Sequence, residues 1–145
     1  MIPESVHLNI GSLLFEDLDQ IDLTGPFEVL SRLPNSTHCI YAKTMAPVRD
    51  VMGLCIMPDA TLAEAPQLDI LHVPGGPGQQ ALMEDEEVLG WLRSQAEGAK
   101  RVLSVRKRQM SAIISSHQQN LAARYAGGKQ GVTLAGRSGW EDFFI

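Results

Sequence analysis

The apolar stretch LDILHVP (68–74) runs without a break into the turn PGGPG (74–78) and then into the helical start QQALM (79–83). A short apolar run of this kind is the pattern of a strand buried on both faces. The glycines behind it let the chain turn sharply, and a helix follows at once. Strand, glycine turn and helix in immediate succession form the βα-loop of a doubly wound sheet.

The rest of the first 105 residues agrees with that reading. VHLNIGSLLF (6–15) is nearly continuous in apolar residues and predicts a first central strand. IDLTGPFEVLSRL (21–33) carries a helix start in which Thr24 caps and Gly25 and Pro26 occupy the first turn. Phe27, Leu30 and Leu33 then recur at helical spacing, and the helix is expected to end near Pro34 and Asn35. HCIYAK (38–43) reads as a short strand, and VRDVMGLCIMP (48–58), with Gly53 inside it, as a small hairpin or bulged pair at a sheet edge. EDEEVLGWLRSQAEGAK (84–100) has an acidic first turn, an apolar stripe of Val88, Leu89, Leu92 and Ala96, and Gly98 with Lys100 at its end. RVLSV (101–105) is a third buried strand. The resulting order, β-α-β-α-β with short connections, predicts an α/β fold with a mostly parallel sheet and right-handed crossovers.

A chain of 145 residues with 44% hydrophobic and 20% charged content suits one soluble domain. No apolar run approaches the ~20 residues of a membrane span, and the start MIPESVHLNIG lacks a cationic region before a signal-like core. A cytoplasmic location without membrane attachment is the expectation. Cys39 and Cys55 sit in apolar, strand-like segments and are expected to be two buried thiols in a reducing compartment. The net charge of -5 conceals an asymmetry. Residues 1–105 hold six Lys/Arg against fifteen Asp/Glu, whereas residues 106–145 hold six against two. An acidic chain is a poor partner for nucleic acid, and RKR (106–108) is too short a basic run to change that without aromatic support.

Ligands of open α/β sheets bind beyond the carboxyl ends of the strands, which singles out Asp22, the turn after Pro74 and the residue after Val105. Asp22 reads either as a charge favourable to a helix N-terminus or as an active-site acid. Gly75 and Gly76 read either as an ordinary tight turn or as amides aimed at an oxyanion or a developing imidate. Ser115, Ser116 and His117 resemble a nucleophile and base in composition only, since neighbours on a helix point in different directions. His7, His38 and His72 fall in or beside strands without metal-ligand spacing, and read as satisfied or partly exposed side chains.

Taken together, LLFEDLDQIDLTGPFEVL, LDILHVPGGPGQQALMEDEEVLGWLRSQA and RVLSV closely resemble the ThiJ/PfpI superfamily of class I glutamine amidotransferase-like proteins. Within it the resemblance is to the isocyanide hydratase branch, and it covers about residues 5–105. It implies a flavodoxin-like sandwich, usually homodimeric, with no metal or organic cofactor. In that branch a cysteine on a strained strand-to-helix elbow attacks the isonitrile carbon, and water releases an N-substituted formamide. Asp22 matches the acid that bonds the thiolate and shuttles protons, and Gly75 and Gly76 match the amide-bearing turn beside it. The nucleophile position, however, is Arg106, and the adjacent threonine position is Lys107. A guanidinium stays protonated at any working pH and cannot act as the nucleophile. Cys39 and Cys55 have no glycine elbow or general base nearby to replace it.

Residues 106–145 do not resemble the family's second half. MSAIISSHQQNLAARYA (110–126) can form a helix with Ile113, Ile114, Leu121 and Ala122 partly in phase, GVTLAG (131–136) a short strand, and Trp140, Phe143 and Phe144 lack an evident layer to cover them. The expected organisation is an N-terminal ThiJ/PfpI-like part (1–105) and a divergent tail (106–145) in place of the elbow and later elements, from a truncated, frameshifted or naturally variant frame. The sheet is then left incomplete and the chain prone to self-association. The functional expectation is a relative of isocyanide hydratase, with a small isonitrile as the family's substrate, inactive for want of its nucleophile. The alternative is a sensor or binding module like the N-terminal domain of AraC-type transcription regulators, whose paired helix-turn-helix units this tail does not supply.

Overall fold

The computed structural model describes residues 6–105. Its elements, in chain order, are β1 (Leu8–Leu13), α1 (Gln20–Leu30), β2 (Ser36–Ala42), β3 (Val48–Arg49), β4 (Cys55–Ile56), β5 (Ala60–Thr61), a 3-10 turn (Leu62–Glu64), β6 (Ile70–Val73), α2 (Gln79–Leu82), α3 (Glu86–Gly98) and β7 (Arg101–Ser104). Five strands make one sheet in the order β5-β2-β1-β6-β7, and every pairing in it is parallel. The chain steps outward from β1 to β2 and β5, then crosses to the other side of β1 for β6 and β7. The order therefore reverses between β1 and β6, which is the switch point where open α/β sheets bind ligands.

Strand alternation divides the core in two. Leu8 and Ile10 of β1 cluster with Leu30 of α1, with Ile70 and Leu103 packed against them. On the opposite face Leu13, Leu71, Val73 and Val102 join Val88, Leu89, Leu92 and Ala96, the stripe of α3 that the sequence predicts. Burying one such side chain contributes about 1.5–3 kcal/mol. Asp85 caps α3 by accepting from the Glu87 and Val88 amides at 3.2 and 3.3 Å, and Lys43 Nζ holds the same carboxylate at 2.7 Å. Buried Gln95 of α3 accepts from the Leu68 amide at 2.9 Å and donates to the Pro66 carbonyl at 3.0 Å, which fixes where the chain enters β6.

Three local expectations are corrected. α1 starts at Gln20 with Asp19 in the extended N-cap position, rather than at Thr24. Leu23 and Leu30 lie two turns apart on one buried face, and their burial carries the helix through Thr24 and Pro26. The Thr24 hydroxyl donates back to the Gln20 carbonyl at 3.1 Å instead of capping. The hairpin forms, with β3 antiparallel to β4, but as a separate two-stranded ladder, and the sheet edge belongs to β5. Cys55 is exposed on that hairpin rather than buried, and Cys39 is half-buried; both are free thiols.

Among the described residues no helix is long and apolar enough to cross a membrane. The expected helix at 110–126, the strand at 131–136, the aromatic ending, and Arg106, Lys107, Ser115, Ser116 and His117 lie outside the described residues.

Candidate functional site

The sheet reversal brings the loop after β1 against the loop after β6. The Asp19 amide donates to the Gly75 carbonyl at 2.8 Å, and the Gly78 amide to the Asp17 carbonyl at 3.1 Å. Such close backbone contact requires glycine. Gly76 has φ +136°, and a Cβ there would lie 2.6 Å from main-chain atoms of residues 17–19. At Gly78 a Cβ would stand 1.8 Å from the Glu16 carbonyl oxygen. The turn PGGPG is thus shaped by the neighbouring loop as much as by its own geometry.

Asp22 enters this junction because α1 begins at Gln20, which puts its carboxylate in the first helical turn, where the helix dipole favours negative charge. Its Oδ2 accepts from the Gly75 amide at 3.2 Å. Two of the residues singled out in the sequence therefore meet directly. While that bond holds, the Gly75 N–H is committed to Asp22, so binding of an external oxyanion by this amide requires the carboxylate to let go. The turn is braced from below by buried Gln79, whose side-chain amide donates to the Pro74 carbonyl at 2.9 Å. Val73 pairs with Ser104 in the β6–β7 register. The chain thus leaves β7 one strand away from the Asp22–Gly75 contact, with Arg106 and Lys107 just beyond the described residues.

On the face of the sheet toward α1 lies a polar cluster that sequence reasoning missed. Ser12 Oγ stands 2.8 Å from His38 Nε2 and 2.9 Å from His72 Nδ1. Ser12 is fully buried and His72 is 1% exposed. Phe27 of α1 covers the His38 ring with centroids 4.6 Å apart. Burial, and then the neighbouring His38, lower the His72 imidazole to about 3. Burial likewise lowers His38 to about 4, against a smaller opposing pull from Asp59. Both rings are neutral at neutral pH. The only sequence-level signal is that Ser12 and His72 interrupt otherwise apolar buried strands.

A cavity of about 260 Å³ opens on the α2 side, with Leu13, Phe15, Lys43, Val48, Leu82 and Val88 among its walls; Asp22 and Gly75 do not line it. Among the described residues no group of His, Cys, Asp and Glu is arranged to hold a metal ion.

These features can be set beside known proteins. Isonitrile hydratase of Pseudomonas putida is 46% identical over 98 residues, which cover 68% of this chain and 43% of that protein. The match thus spans less than half the length of that curated relative. A ThiJ/PfpI family protein from Pseudomonas syringae superposes with a TM-score of 0.67 at 31% identity, covering 71% of this chain and 43% of its own. Drosophila melanogaster DJ-1beta superposes with a TM-score of 0.66 at 20% identity, covering 78% of this chain and 61% of its own, a likeness of fold alone. The model of the DJ-1/PfpI family matches residues 9–120. With a parallel sheet flanked by helices and its switch point at Asp22 and Gly75, the chain belongs to the DJ-1/PfpI family.

Proposed function

We propose that the chain is an isocyanide hydratase relative by descent whose residues 1–105 hold the acid and glycine-turn half of the site, while residues 106–145 form a divergent tail without the nucleophile. The observation that carries this reading is the 3.2 Å bond from the Gly75 amide to Asp22 Oδ2, beside the end of β7. The reaction adds water across an isonitrile carbon. A thiolate bonds to that carbon, the carbon takes a proton to give a thioimidate, and water then adds there and expels the thiolate while the nitrogen takes the second proton, which releases an N-substituted formamide. In this reading Asp22 holds and passes the proton, and the glycine turn steadies charge on the forming imidate. Arg106, permanently protonated, offers no electron pair for the first bond. The free thiols suit a reducing compartment such as the cytoplasm. Self-association, with a second copy as the partner, fits the exposed apolar hairpin.

The test is formamide production from a simple aryl isonitrile by the purified chain. We expect none above the buffer rate. Turnover abolished by a thiol-alkylating reagent would overturn the reading and point to Cys39 or Cys55.

A further inference from the structure

The loop between β1 and α1 is held along both of its edges. Toward β6, the Asp19 amide donates to the Gly75 carbonyl and the Gly78 amide to the Asp17 carbonyl. Toward the hairpin, the Asp17 amide donates to the Arg49 carbonyl at 2.9 Å, the Arg49 amide to Glu16 Oε2 at 3.1 Å, and the Val51 amide to the Leu18 carbonyl at 3.1 Å. Leu18 lies between the two edges, fully buried, and forms an isolated parallel bridge with Asp50. The edge toward β6 has no slack, since a Cβ on Gly76 would stand 2.6 Å from the main chain of residues 17–19. A shift of this loop therefore passes to the glycine turn. It also passes to the first turn of α1, because the Asp22 amide donates to the Asp19 carbonyl at 3.0 Å.

One carboxylate shapes the hairpin that holds the other edge. Asp50 is buried, and its Oδ1 accepts from the Met52 amide at 2.9 Å and from the Leu54 amide at 2.7 Å. The main chain closes the same tip: the Asp50 amide donates to the Leu54 carbonyl at 2.9 Å, and the Gly53 amide to the Asp50 carbonyl at 3.0 Å. β3 and β4 have only two residues each, a ladder too short to hold its own turn. We infer that Asp50 is a positioning residue for the site: by folding residues 51–54 its carboxylate carries the Val51 N–H to the Leu18 carbonyl, and the hairpin so clamps the loop that sets Asp22 against Gly75. The inference rests on reading Asp22 and Gly75 as the acid and the turn of the site. Its test reads their placement and not turnover, so the two can fail separately.

Native-state hydrogen exchange on the full chain labelled with ¹⁵N tests this first without any substitution. We expect the Val51, Asp19 and Gly75 amides to share one opening with the same urea dependence. Val51 exchanging like an open loop while Gly75 stays protected overturns the inference. In Asp50→Ala the Gly75 amide should exchange roughly fivefold faster relative to the amides of β1, the factor expected for losing one net hydrogen bond. Asp50→Asn keeps an oxygen acceptor for both tip amides and should restore most of that protection, which separates hydrogen bonding from charge. Val51→Pro removes the linking N–H and spares the Met52 and Leu54 amides, so adding Asp50→Ala in that background should change Gly75 exchange by less than about twofold. Unchanged Gly75 exchange in Asp50→Ala, or an equal effect in both backgrounds, contradicts the assignment. Should the Ala variant not fold, the shared opening in the unmodified chain still decides.

Discussion

Asp22 and Gly75 stand 53 positions apart in the chain, yet the carboxylate of one accepts the amide hydrogen of the other at 3.2 Å. The contact exists because the strand order reverses between β1 and β6, which are parallel neighbours. It joins the start of α1 to the turn that ends β6, and it is the element of the site most open to mutation.

Removing the carboxylate should destabilise the protein as well as the site. Asp22→Ala leaves the buried Gly75 N–H without its acceptor, at a cost of about 1–3 kcal/mol. Asp22→Asn keeps an oxygen acceptor and should lose about 1 kcal/mol or less. Urea titration measures both. Equal midpoints for the Ala variant and the wild type would show that the bond contributes nothing.

Two glycine substitutions should shift stability in opposite directions. Gly76→Ala forces a side chain onto φ +136° and into main-chain atoms 2.6 Å away, which should cost more than about 3 kcal/mol or prevent folding. Gly90 sits on the exposed face of α3, where an added Cβ meets nothing within 4 Å. Gly90→Ala should therefore stabilise by about 0.5–1 kcal/mol. Thermal melts of the pair decide the matter, and a destabilised Gly90→Ala would contradict the placement of α3.

Stability should fall on mild acidification, before the carboxylates titrate. His38 and His72 take up protons near 6.5 when unfolded but only at about 4 and about 3 when folded. The unfolded state then binds more protons between these values, so stability rises with pH through that window and is lost as pH drops from 6.5 toward 4. Asp69 and Asp85, held below their ordinary 3.8, act in the same direction but at lower pH. Each histidine contributes at most about 1.4 kcal/mol per pH unit. His72→Gln should visibly flatten the profile between pH 6.5 and 4, and an unaltered profile would mean that His72 is not buried as a neutral ring.

Association should track the hairpin. Met52, Leu54 and Met57 are 88%, 52% and 58% exposed, and the outer edge of β7 has no strand partner among the described residues. Light scattering after size exclusion should give a mass well above 15.8 kDa, and Met52→Lys with Met57→Lys should lower it. A sharp monomer in the unmodified chain would count against association.

Much of this architecture is legible in the sequence because buried parallel strands and amphipathic helices leave regular patterns. The stripe of Val88, Leu89, Leu92 and Ala96 is all buried, and LDILHVP contains β6. The start of α1 is obscured because Thr24, Gly25 and Pro26 have the composition of a helix start, while the burial of Leu23 and Leu30 extends the helix through them. β5 has two residues, too few for any period to show. Asp22 and Gly75 are identified by residue type and place, but that they bond one another depends on register. The Ser12–His38–His72 cluster is hidden for the same reason. Its members lie 26 and 60 residues apart and come together only through the pairing of β1 with β2 and β6.

The central claim is that residues 1–105 already hold a competent half of a hydratase site. Joining them at Val105 to the second half of the Pseudomonas putida isonitrile hydratase, and measuring formamide from an aryl isonitrile, tests it most directly. We predict clear turnover by the chimera, little by Arg106→Cys alone, since Lys107 and Arg108 remain, and loss of the chimera's rate by at least about tenfold in Asp22→Asn. A folded chimera without turnover, or one indifferent to Asp22→Asn, would contradict the account.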